Sequence, residues 1–187
     1  MRSRFLPFLA LALVFSAAGC NAIGGKPTLT DAQAVIADLK LPSGGTPADL
    51  VVTGAFDPPD PSYRAGDRIA LTVTVNRDAW VAVLRVLRGG ATTIVFPNRA
   101  LPDARVTANA PLHIPAVVAE KPGVELYAFI AATNGNSWLF TRKPEGSAEF
   151  VELGATTRAL AHDIGVSLKG SPAGTAAASS IAVRVGG

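Results

Sequence analysis

Cysteine occurs once in this 187-residue chain, methionine once and histidine twice. A single cysteine cannot close an internal disulfide, so packing alone must hold the fold together. Two isolated histidines, His113 and His162, offer no clustered imidazole or thiolate set for a metal. The neighbouring carboxylates Asp57 and Asp60 stand in "FDPPDP", where Pro58, Pro59 and Pro61 make a stiff, extended entry into a domain. Also missing are the G-x-S-x-G, S-x-x-K and H-E-x-x-H patterns, the phosphate loop and the dinucleotide glycine pattern. Neither a cofactor nor a metal nor catalysis is therefore expected. His162 precedes Asp163, but adjacent residues on a helix do not face each other, so a hydrolase built on His113 or His162 is only a remote alternative.

Charge is scarce as well: Asp, Glu, Lys and Arg make up 17% of the chain, and the formal net charge is +3. Leaving out Arg2 and Arg4 at the N-terminus, 15 basic residues face 14 acidic ones, close to +1. Such a balance, without basic clusters, excludes a phosphate-backbone footprint and with it nucleic acid as a partner.

The long apolar run of the chain lies at its start. Arg2 and Arg4 precede "FLPFLALALVFSAA", uncharged from Phe5 to Ala18, which is shorter than the roughly 20 residues a membrane span needs and contains Pro7. Basic head, apolar middle and small residues form the layout of a secretory signal over residues 1–19. Ala17, Ala18, Gly19 and Cys20 resemble a bacterial lipobox, with Ala17 where leucine is usual. The resemblance implies acyl chains on Cys20, a stable hold on a membrane because more than one chain is buried. With Asn21 in place of the aspartate that retains such proteins in the inner membrane, the expected address is the outer membrane, facing the periplasm. Cleavage there would leave 168 residues, enough for one domain with its own core.

Residues 20–29 are small and broken by glycine and proline, a lipidated tether. Residues 30–49 hold a short helix and linker: Thr30 with Gln33 three residues on is a capping box, and Val35, Ile36 and Leu39 form one apolar stripe. From residue 50 to 187 the spacing predicts a single β domain. Ile69, Leu71, Val73 and Val75 alternate with milder residues, whereas Ala79–Leu87 is apolar on both faces apart from Arg85, as in a central strand. Asn76-Arg77-Asp78 and Gly89-Gly90 are hairpin-length connections, which predicts three consecutive antiparallel strands through residue 96. A further strand is expected in "GVELYAFIAAT", and Asn134-Gly135 predicts a hairpin into "NSWLFTR". A helix is expected between Thr156 and Gly165, a loop in "GSPAGTAAASS", and a last strand over Ile181, Val183 and Val185. The resulting fold class is mainly β: an antiparallel β-sandwich of about seven or eight short strands with two short helices.

Within residues 63–132, Gly66-Asp67 before an alternating strand, the aromatic strand around Trp80, Phe96-Pro97-Asn98, Ile114-Pro115 and a closing strand around Phe129 recur in a set spacing. This segment resembles the bacterial domain of unknown function 4384. The resemblance implies a β-rich, non-catalytic module. Physically, Pro97 ends a strand and Asn98 suits a turn. Trp138, following a turn, is the candidate binding aromatic, while Trp80 is placed in the core. The expected function is a lipid-anchored interaction module that docks an envelope protein as adaptor or assembly factor. The alternative is a periplasmic-facing binder of an envelope polymer or small ligand.

Overall fold

The computed structural model describes residues 27–57, 59, 62–119 and 121–187. Cys20, the lipobox residues Ala17, Ala18 and Gly19, and Asp60 lie outside them. The described residues form, in order, α1 (Asp31–Ala37), β1 (Val52–Asp57), β2 (Ser62–Arg64), β3 (Arg68–Val75), β4 (Ala79–Val86), β5 (Thr92–Phe96), β6 (Arg105–Val106), β7 (Leu112–Val118), β8 (Gly123–Ala132), α2 (Trp138–Thr141), β9 (Val151–Leu153), α3 (Thr157–Leu168) and β10 (Ala176–Gly186). A small sheet has the order β1-β3-β7, and a large one the order β2-β10-β8-β4-β5-β9, with β6 also paired to β4.

Period-two patterning sets the layers. On β3, Ile69, Leu71, Val73 and Val75 are buried and the residues between them half-buried, so the small sheet buries one face. On β4 and β8 both faces are buried. Ala79, Val81 and Val83 of β4 and Tyr127, Phe129 and Ala131 of β8 join the β3 residues in a core between the two sheets. Ala82, Leu84, Val86, Leu126, Ala128 and Ile130 point the other way, onto Ile36 of α1 and Leu160, Ile164 and Leu168 of α3. The molecule is thus a mainly β sandwich whose larger sheet carries a helical layer on its outer face, and continuous apolar strands are what a middle layer requires.

Two small details lock these layers. The capping box of α1 forms as expected, Thr30 accepting from Gln33 N and Gln33 Oε1 accepting from Thr30 N. The same Gln33 is fully buried and donates through Nε2 to the carbonyls of Val86 (3.1 Å) and Val124 (2.8 Å), tying the helix to β4 and β8. Gly54 of β1 lies against the Phe129 ring, which a Cβ there would overlap.

The fold departs from the sequence reading in several places. β3 and β4 do not pair; Asn76-Arg77-Asp78 carries the chain from one sheet to the other, so only β4 and β5 form the expected hairpin, with a bulge at Val83/Leu84. Asn134-Gly135 is no hairpin: Trp138–Thr141 is a helical turn capped by Ser137, and the glycine exists because a Cβ there would stand 2.7 Å from the Trp80 indole nitrogen. Residues 176–180, read as loop, begin β10, because alanine and serine are small enough to pair along β8 beneath the helical layer. β10 also pairs with β2 in parallel, so the large sheet is mixed. The short β2, β6 and β9 and the four-residue α2 raise the count to ten strands and three helices among the described residues; elements this brief carry too little periodicity to be legible.

Gly54→Ala is expected to lower stability by about 1–3 kcal/mol through overpacking, whereas Ala55→Thr on the same strand, exposed to solvent, should change it by less than about 0.5 kcal/mol. Urea midpoints of the two variants against the parent check this.

Candidate functional site

Among the described residues two charged side chains are buried in the sandwich, and they are buried together. Arg85 of β4 donates from Nε to Glu125 Oε2 (2.9 Å) and from its terminal nitrogen to Oε1 (3.1 Å), both residues being buried. Tyr127, opposite Arg85 in the β4/β8 register, donates its hydroxyl to Glu125 Oε2 (2.8 Å). Arg and carboxylate meet in bidentate fashion, which satisfies the directional needs of a buried pair. Burial, and after it the Glu125 carboxylate, holds the Tyr127 phenol far above its ordinary value of 10.0. The cluster belongs to the interior and fixes the register of β4 on β8. The signal was present in the sequence: a lone arginine in one apolar strand and a lone glutamate in another.

The surface around β9 is different in kind. β9 ends the large sheet, paired to β5 on one side. Beside it lies a hollow of about 510 Å³ lined by Trp138, Arg142, Leu153, Leu160, Asp163 and Val166. Val166 is 57% exposed, and Arg142 lies over the Trp138 ring at 5.8 Å, within cation–π range. A second hollow, of about 460 Å³, holds Thr93, Lys143, Glu149 and Glu152 and again Arg142, and reaches the buried Arg85. β9 contributes Leu153 to the first and Val151 and Glu152 to the second. Chemically, this is a strand edge with an aromatic, apolar hollow and a charged hollow alongside, joined by one exposed guanidinium.

Of the residues singled out in the sequence, Trp138 stands in this site, half-buried. Phe96, Pro97 and Asn98 do not. The Phe96–Pro97 bond is cis, Phe96 is buried in the sandwich, and Asn98, 1% exposed, donates to Val95 O (2.8 Å) while accepting from Leu101 N (2.8 Å). That triplet builds a turn, and a hollow of about 190 Å³ separates it from Arg142 and Lys143. Trp80 is half-buried against the helical-side core, with Arg105 5.2 Å from its ring. The histidines lie far apart in the architecture: His113 is exposed on β7, its Nδ1 3.2 Å from Thr72 Oγ1, and His162 is exposed on α3. Arg142 carried no sequence signal, since a single cation after an aromatic run is ordinary.

In comparison with known families, the model of a domain of unknown function (DUF4384) matches residues 62–135. The chain therefore carries a domain resembling that family, from β2 to just past β8. No curated protein and no solved structure gives a significant match. Trp138, Arg142 and β9 fall beyond the matched segment, whereas Arg85 and Thr93 of the second hollow fall within it.

Because folded Tyr127 stays protonated where an unfolded tyrosine ionises, its contribution to stability is full below about pH 10 and is lost as pH rises above it, by up to about 1.4 kcal/mol per pH unit. Tyr127→Phe should cost about 1.5–3 kcal/mol at pH 7 for the lost bond to a carboxylate and make the decline between pH 9.5 and 11 shallower, as read from urea midpoints across that range.

Proposed function

We propose that this chain is a lipid-anchored envelope protein, held by Cys20 in the outer membrane and facing the periplasm, whose sandwich is a non-catalytic module that docks a protein partner. The observation that carries the reading is the β9 edge with a hollow on either side sharing Arg142. An extended segment laid along such an edge gains main-chain hydrogen bonds, and alternate side chains find pockets. Trp138 and Arg142 are the residue types that dominate binding at interface centres.

The same Trp138 hollow supports a second reading, a binder of an envelope polymer or small ligand, because an aromatic face beside Arg142 and Asp163 offers both stacking and hydrogen bonding.

The test is a pull-down from gently solubilised membranes with the lipidated chain, with a signal-swapped Cys20→Ala form released into the periplasm, and with Arg142→Glu. A near-stoichiometric protein is expected with the lipidated form, falling at least tenfold with Arg142→Glu, while Cys20→Ala releases a folded domain from the membrane. If lipidated and released forms both return alone, and tryptophan fluorescence instead responds to cell-wall fragments and loses that response in Trp138→Ala, the polymer-binding reading replaces the adaptor.

A further inference from the structure

A second surface lies where the chain enters the described structure, beside β10 and the β4–β5 connection. Pro27 and Leu29 border a hollow of about 610 Å³ whose other walls are Phe56 of β1, Leu126 of β8 and Ile181 and Ala182 of β10. It lies at the open corner of the sandwich, because β2 covers β10 only over Arg184–Gly186. Leu29 also borders a second hollow, of about 480 Å³, that holds Arg88 and Arg184. Both arginines are exposed, and among the described residues neither guanidinium has a hydrogen-bond or ionic partner. Among the described residues, no carboxylate lines either hollow. An apolar trough thus runs into a doubly cationic one.

Six residues, Asn21 to Lys26, separate Cys20 from Pro27. Fully extended, the seven steps reach roughly 24 Å, so an anchor on Cys20 keeps this face beside the bilayer. We propose that the paired hollows dock an anionic phospholipid of that bilayer, its phosphate between Arg88 and Arg184 and an acyl chain along Phe56 and Ile181. The orientation rests on the anchor reading above. The apolar trough alone would accept many occupants; two cations with no partner among the described residues select an amphiphile with a negative head. The docking fixes how the domain sits on the membrane.

The test floats a Cys20→Ala chain produced without residues 1–19 with vesicles of phosphatidylcholine alone or of phosphatidylcholine mixed with phosphatidylglycerol. Binding is expected to the anionic vesicles, to fall with added salt, and to drop roughly fivefold for each of Arg88→Gln and Arg184→Gln, the fold-change set by about 1 kcal/mol per surface cation. Ile181→Asp should also weaken it, whereas Arg158→Gln on α3 with Lys169→Gln at its C-cap should not. Equal binding to both vesicle types, equal loss with the α3 pair, or displacement by inorganic phosphate as readily as by lipid would overturn the proposal, the last assigning the arginines to a free anion. The mass of residue 20 in the native protein tests the anchor separately: an unmodified Cys20 beside intact vesicle selectivity removes the anchor and leaves the docking site.

Discussion

A sheet that must be apolar on both faces is the constraint from which the rest of this molecule follows. β4 and β8 stand at the centre of the large sheet, one face turned to the small sheet and the other to the helices. Every polar group that enters those strands has to bring its partner along, since an unpaired charge or amide in that environment costs several kcal/mol. Arg85 meets Glu125 and Tyr127 within the same pair of strands, and Gln33 descends from α1 to occupy two carbonyls. Shape is settled in the same way. Phe129 has room because β1 places a glycine above it.

This also explains what was legible in the sequence. The alternation of β3 and the two-faced run of β4 state their environments directly, and the Thr30/Gln33 pair states where α1 begins. A turn, in contrast, gives only its length. Asn76-Arg77-Asp78 suits a hairpin and a sheet-to-sheet crossing equally well, and what decides is whether the flanking strands share a face partner, which is tertiary information. Asn134-Gly135 misleads for a related reason: its glycine answers to the Trp80 indole and not to a turn. The small residues of 176–180 read as loop because they lack bulk to reveal a period, yet bulk is what a strand at that position cannot have. At the site, Trp138 was readable as an aromatic after a break, while Arg142 and β9 acquire meaning only when α2 and α3 bring them together.

The two sheets treat their margins differently. On the small sheet, β7 carries Pro115 and a register shift opposite Ile69 and Leu71, both of which discourage another strand from joining. On the large sheet, β9 has no proline, and hollows rather than side chains lie beside it. A margin kept open in this way is consistent with use, and the short length of β9 limits how much chain it can recruit on its own.

The strand order has a mechanical consequence. Between β2 and β9 there are five inter-strand steps of about 4.8 Å, so the sheet is roughly 24 Å wide. That width is a strut: hydrogen-bonded across its whole span and stiffened by packed layers on both faces, it cannot fold or stretch as a peptide linker can. It also exceeds by two- to threefold the roughly 8–10 Å over which charges are felt in physiological salt. Exposed charge at the β2 margin is therefore largely screened from the β9 margin, and any influence of one margin on the other has to travel as leverage, through the tilt of the whole body.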